Sequence, residues 1–251
     1  MNINNDEKLL VDRAEDAVRL CEKQYSVRFV GFLTPREAEI IRHNVYLKGV
    51  RHKFFGGYDD AERTIFVAIP EYGEEEELFE LVSLLEISGR DIVGLSHRDY
   101  LGSLLGLGLK REKIGDILVF EERCLVFVLR DIADYILLNL EKIGRCGVKV
   151  REISPGEAQI PPRRTEKICG TVAALRLDCI TAAALKTSRS KALEYIESGR
   201  VHVNWEEQDS PSFFLKPGDV FSIRGAGKFR LAEDTSETKK GRISICIEKM
   251  V

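Results

Sequence analysis

The first stretch of the chain alternates apolar and polar residues with a helical period. Leu10, Ala14, Ala17, Val18 and Cys21 fall on one stripe, which predicts an amphipathic helix. Thr34-Pro35-Arg36-Glu37 reads as a second helix start, because Thr34 can cap, Pro35 fits the first turn and Glu37 can reach back to the cap amide. That helix is expected to run to about Leu47, with Gly49 near its end. The period then changes. Residues 64–69 are continuously apolar and β-branched, as in a buried strand, and Pro70 stops the run. Residues 74–85 read as a helix with Glu74 to Glu77 in its first turn and Leu78, Leu81, Val82 and Leu85 on one face. Further on, 92–95 reads as a short strand, 100–105 as a helix, 117–120 and 125–129 as a hairpin, 132–143 as a helix and 148–153 as a last strand. This order predicts a small α+β sandwich of the RNA-recognition or ferredoxin-like kind.

Turn-forming residues at Ser154-Pro155-Gly156 and Pro161-Pro162 bracket a linker. Beyond it, 172–185 and 188–198 read as two helices, the second closed by a left-handed Gly199. Val201 and Val203 alternate with Arg200, His202 and Asn204, as on a half-buried strand. Lys216-Pro217-Gly218-Asp219 marks a turn before paired strands at 220–224 and 228–231, and 233–240 reads as a flexible connector to a final strand at 243–247. The expected organisation is a mainly helical region 1–55, a central α+β domain 56–153, a linker 154–166 and a C-terminal RNA-binding domain 167–251, α+β overall.

Charge sharpens this picture. The 251-residue chain has a net charge of −3, but residues 160–231 carry 12 Lys and Arg against 8 Asp and Glu, a net +4, which leaves −7 for the rest. One basic segment in an acidic chain points to a phosphate-binding domain among others with different tasks. No apolar run reaches the roughly 20 residues of a membrane span, and 1–10 lacks the apolar core of a signal peptide. The 6 cysteines form no CxxC pair and the 4 histidines are scattered, so no metal site or cofactor is expected. The cysteines read as small buried apolar residues in a reducing cytoplasm.

The chemistry concentrates in Arg176-Leu177-Asp178, Ser188-Arg189-Ser190-Lys191-Ala192 and Gly199-Arg200-Val201-His202-Val203-Asn204. Arg189 and Lys191 occupy the first turn of a helix, where the dipole disfavours cations by about 0.3–1 kcal/mol each. An anion docked there reverses that penalty, because it meets free amides and a guanidinium together. Ser188 can cap the helix or donate to the same phosphate, Arg176 flanks the site and Lys186 adds charge in the intervening turn.

This pattern resembles the RNA-binding domain of small-subunit ribosomal protein S4, over about 167–231. The resemblance implies an RNA face of Arg176, Lys186, Ser188, Arg189 and Lys191, extended by Arg200, His202 and Asn204; the acidic Glu206, Glu207 and Asp209 should point away. Phe55-Gly56-Gly57-Tyr58, Ala61-Glu62-Arg63 and the run from His97-Arg98-Asp99-Tyr100 through Gly106-Leu107-Gly108-Leu109-Lys110-Arg111-Glu112-Lys113 to Gly115-Asp116-Ile117 resemble the bacterial YlmH family. That likeness implies a non-enzymatic protein that binds rRNA of the large ribosomal subunit, and peptidyl-tRNA with it, during quality control of stalled translation; nothing in the sequence demands a dimer, so a cytoplasmic monomer is expected. Lys110, Arg111 and Lys113 form a local basic knot and a second candidate contact.

Other signals fail on detail. His97-Arg98-Asp99 looks like a kinase catalytic loop, but the fifth residue after Asp99 is Leu104 rather than Asn. Gly106-Leu107-Gly108 does not complete a dinucleotide fingerprint, and the aromatic signature of sequence-reading RNA-recognition domains is absent. Two rival functions stand beside the favoured one. The first is an RNA-modifying enzyme of the pseudouridine-synthase kind that uses the same module for targeting. The second is a protein adaptor whose acidic N-terminal region docks a partner.

Overall fold

The computed structural model describes residues 4–46, 50–73, 78–158, 160, 165–237 and 241–250. The chain forms two compact units, Met1–Ile160 and Pro161–Val251. The first unit runs α1 (Asn5–Gln24), β1 (Arg28–Leu33), α2 (Pro35–Asn44), β2 (Arg51–Phe55), β3 (Thr64–Ile69), β4 (Val82–Ser88), α3 (His97–Gly106), β5 (Ile114–Val119), β6 (Arg123–Leu129), α4 (Arg130–Asn139), β7 (Lys142–Ile143), β8 (Cys146–Gly147), β9 (Lys149–Ile153) and α5 (Pro155–Ala158).

Both leading helices start at capping boxes, Asn4 with Glu7 and Thr34 with Glu37, and the Arg36–Glu7 ion pair at 2.7 Å ties them together. Their apolar faces cover a β1-β3-β2 sheet through Phe66 and Ala68. The opposite face of that sheet, Ile65, Val67 and Ile69, packs on Leu84, Leu125, Phe127 and Ile153 of a second sheet. Strand β3 is therefore covered on both sides, which is why its sequence reads as an unbroken apolar run. The second sheet has the antiparallel order β5-β6-β4-β9, the split βαβ arrangement of the ferredoxin-like fold, with α3 and α4 on its far side. The layers run helix, sheet, sheet, helix.

The second unit runs β10 (Thr165–Val172), α6 (Leu177–Ala184), α7 (Arg189–Glu197), β11 (Val201–Val203), β12 (Glu206–Glu207), β13 (Val220–Ile223), β14 (Gly227–Leu231), β15 (Ser236–Glu237) and β16 (Ile243–Met250). Its sheet follows β10-β16-β14-β13-β11-β12, with β15 against β16. Ile180 and Ile196 of the helices pack on Val201, Phe221, Phe229 and Ile247.

Several expectations change. Residues 82–85 belong to β4 rather than a helix: Leu84 and Leu85 bury on opposite faces of a sheet covered on both sides, and such a run imitates a helical stripe. Residues 92–95 form a turn closed by Leu95 N–H to the Ile92 carbonyl, with Gly94 at φ 86°, rather than a strand. Helix α4 stops at Asn139, and Ile143 already pairs in β7. Strands β1, β2 and β10 were not foreseen; Val172 closes β10, and α6 begins only at Leu177. The cysteine expectation fails in part. Cys21, Cys124 and Cys179 are buried, but Cys169 is bonded to Cys246 as its register partner across β10 and β16. They are separated by 77 positions in the sequence, so no local spacing announces the pair. Helix α2 ends at Asn44, short of the expected Leu47; Leu47, Gly49, the acids Glu74 to Glu77 and the Pro161-Pro162 bracket lie outside the described residues.

Candidate nucleic-acid interface

Helix α7 begins at Ser188, whose Oγ accepts the Lys191 amide at 3.3 Å. The Arg189 and Ser190 amides have no acceptor among the described residues, so the first turn of α7 offers donors to solvent. Helix α6 does not. Its Leu177 amide donates to the Phe213 carbonyl, its Asp178 amide to that of Pro211, and its Cys179 amide to Asp178 Oδ1. Of the two helix starts, that of α7 alone leaves amides without an acceptor among the described residues.

Asp178 organises the cations. It is 2% exposed and accepts from Arg176 Nε and Nη2, each at 3.2 Å, and from Arg189 Nη2. Burial pushes its carboxyl pKa up, but the bonds from Arg189, Arg176 and the Cys179 side chain outweigh burial and hold it below the ordinary value. The same contact pushes Arg189 up. The Arg176 and Arg189 side chains remain 36% and 57% exposed. A single carboxylate thus fixes two guanidiniums and leaves one excess positive charge at that point. Guanidinium donors not spent on Asp178 remain for a ligand.

Lys186, in the turn between α6 and α7, and Lys191, in the first turn of α7, are exposed. Lys186 closes α6 in the left-handed region, φ 49°, with its amide on the Ala183 carbonyl and that of Thr187 on Ala182. This is the Schellman arrangement, with a lysine where glycine fits best.

The strand residues do not join this group. Arg200 lies past the other end of α7, bonded to Ser198 Oγ at 2.9 Å and stacked over Tyr195 at 4.6 Å. His202 alternates with buried Val201 and Val203, so it lies on the sheet face turned away from the helices. Asn204 is committed to the fold: its amide bonds Asp219 Oδ1 at 2.9 Å and accepts from Val220 N–H at 3.0 Å. Asn204 and Trp205 (φ 48° and 65°) form the two-residue turn between β11 and β12, and Lys228 lies over the Trp205 ring on the same outer face as His202. The Glu207 carboxylate lies against Gly199, at the far end of α7 from Arg189.

In the first unit the basic knot disperses. Arg111 turns inward to the carbonyls of Ile114 and Gly115, and Lys113 pairs with Asp131 at 2.6 Å; only Lys110 of the three is fully exposed. Asp116, 8% exposed, accepts from Tyr58 Oη at 2.7 Å and from the amides of Glu62 and Arg63 at 2.7 and 2.9 Å. Arg63 in turn donates to the carbonyls of Ile114 and Phe32. Gly115 admits no Cβ, because Phe32 stands 2.6 Å from that position. These residues clamp the two sheets together. The sheet face that RNA-recognition domains use for base stacking is here the one buried against β1-β3-β2. Among the described residues no cluster of three or more metal-binding side chains occurs, and no helix is long and apolar enough to cross a membrane.

Comparison with known proteins agrees with this division. Residues 74–157 match a family described as a putative RNA-binding domain in YlmH, and residues 175–221 match the S4 domain. The chain is 34% identical over 249 residues to the ribosome-associated protein quality control protein P2 of Bacillus subtilis (strain 168), covering 99% of this chain and 97% of that one. A structure of the cell division protein ylmH from Streptococcus pneumoniae superimposes with a TM-score of 0.55 at 23% identity, over 63% of this chain and 97% of that chain, a likeness of fold.

Proposed function

From the premise that the chain belongs to the YlmH family, we propose that it is an RNA-binding protein of ribosome-associated quality control that grips rRNA through its second unit and acts without catalysis. The observation that carries this reading is the convergence of Arg176 and Arg189 on Asp178 beside the unpaired amides of α7. A phosphate placed there meets backbone donors and fixed guanidiniums at once. Lys186 and Lys191 extend the same positive field. Contacts of this kind read phosphate and 2′-hydroxyl positions, so the shape of the RNA dominates over its sequence. The large ribosomal subunit, with peptidyl-tRNA, is the proposed partner, the chain is proposed to act as a monomer, and the cytoplasm is the proposed compartment.

Binding of the full chain to isolated large subunits across a salt series tests this. Arg189→Ala is expected to weaken binding and to reduce the slope of log affinity against log salt by about 1. Unchanged affinity and slope would remove the second unit from the interface. Incubation with bare rRNA followed by nucleoside analysis is expected to show no modified nucleotide; a new modification would establish catalysis.

A further inference from the structure

An exposed aromatic ring stands beside the phosphate cradle and belongs to no core. Phe214 is 62% exposed and forms an antiparallel bridge with Arg176. The bonds that frame the bridge run from Leu177 N–H to the Phe213 carbonyl, 2.8 Å, and from Leu215 N–H to the Leu175 carbonyl, 2.9 Å. They lie on either side of the Arg176–Phe214 pair, which is therefore the narrow, non-hydrogen-bonded type, with its two side chains close together on one side. Leu177 and Leu215, the next residues along, are buried at 0% and 3% and pin the two segments to the core. The ring is thus carried on a pinned backbone, is open to solvent and belongs to the residue paired with Arg176, whose guanidinium Asp178 fixes. A single exposed apolar side chain is ordinary. An aromatic ring on a pinned backbone, paired with an anchored arginine, is the arrangement that single-stranded RNA meets, with the backbone on the cations and a base on the ring.

We propose that Phe214 is a stacking platform for one unpaired RNA base whose neighbouring phosphate lies on Arg176 and Arg189. This rests on the functional reading above and narrows it, from RNA shape in general to a loop or bulge with a splayed base. The test uses the full chain and two probes, an RNA stem-loop with a fluorescent adenine analogue in the loop and a fully paired duplex of the same stem. The wild type is expected to favour the stem-loop by about tenfold and to quench the analogue, the size of effect that one base on an aromatic ring gives. Phe214→Ala removes both the preference and the quenching and leaves duplex binding unchanged; Phe214→Tyr keeps both. Arg189→Ala weakens both probes. If Phe214→Ala binds the stem-loop like the wild type while Arg189→Ala still weakens both, the stacking proposal falls and the phosphate site stands. If Phe214→Leu performs as well as Phe214→Tyr, the contact is apolar but not stacked, and the proposal also falls. If Arg189→Ala binds both probes like the wild type, or the wild type binds neither, the functional reading fails and stacking with it.

Discussion

Arg111 and Arg189 are both arginines within basic runs, and the two units treat them in opposite ways. Arg111 is drawn inward to backbone carbonyls beside Arg63, and its pKa falls to about 10, chiefly through burial and then through the neighbouring guanidinium. Arg189 stays 57% exposed, and its contact with Asp178 pushes its pKa up. The carboxylates differ in the same sense. Asp116 collects a tyrosine hydroxyl and two backbone amides and so closes a joint between sheets, whereas Asp178 collects two solvent-facing guanidiniums and so aims them outward. What separates a fold device from a binding device is where the unused donors of the arginine end: on carbonyls in one case, in solvent in the other.

The largest expected effect falls on the closed joint. Asp116→Ala removes the acceptor shared by the half-buried Tyr58 hydroxyl and the Glu62 and Arg63 amides and should destabilise the first unit by about 3–5 kcal/mol. Denaturant unfolding followed by far-ultraviolet circular dichroism measures this. The single tryptophan, Trp205, belongs to the second unit, and its fluorescence transition should stay in place. A shift of both transitions by the same amount would show that the joint does not act on the first unit alone.

Asp178→Ala is the matching change at the open site, with a smaller cost of about 1–3 kcal/mol read by Trp205 fluorescence. Although it deletes a negative charge, RNA binding should fall, because Arg176 and Arg189 lose the carboxylate that orders them. Tighter binding would recast Asp178 as a mere counter-charge and erase the contrast with Asp116. The same variant has a signature in pH. The folded pKa of Asp178 lies below its unfolded value, so its contribution to stability is present above the unfolded value, about 4, and is lost as pH falls through the folded one. That part of the acid destabilisation of the second unit should be missing from Asp178→Ala.

The contrast also explains which parts of the molecule could be read from the chain. Apolar period located α1, β3 and the β5–β6 hairpin, and local chemistry located the Thr34 and Ser188 caps. The Arg176 and Arg189 side chains, which meet at Asp178, lie within 13 residues of each other, so local sequence brings them within reach of one site. The inward turn of Arg111 was not legible, because its cause is a sheet formed by β1 and β3, whose nearest residue, Ile69, lies 42 positions earlier. Strand β4 imitates a helix for the same reason: its second apolar face is demanded by a layer that local sequence does not show. The Cys169–Cys246 bond and the bridge from Arg176 to Phe214 likewise join segments whose proximity is a product of the fold.

The smallest effect is the sharpest test of whether the open site was kept for binding. Lys186 adopts φ 49°, where a side chain costs about 1 kcal/mol and glycine costs nothing. Lys186→Gly relieves that strain but gives the unfolded chain more freedom, worth about 0.5–1 kcal/mol in the opposite direction. Net stability should therefore change by less than about 1 kcal/mol, measured as the Trp205 transition midpoint. RNA affinity should nevertheless fall a few-fold, with a shallower salt dependence, which is what the proposed phosphate contact of Lys186 requires. A lysine kept in a strained turn for its charge predicts this separation of stability from binding. If affinity and salt slope survive the change, Lys186 is only a helix terminator, and the open site shrinks to Arg176, Arg189, Lys191 and the α7 amides.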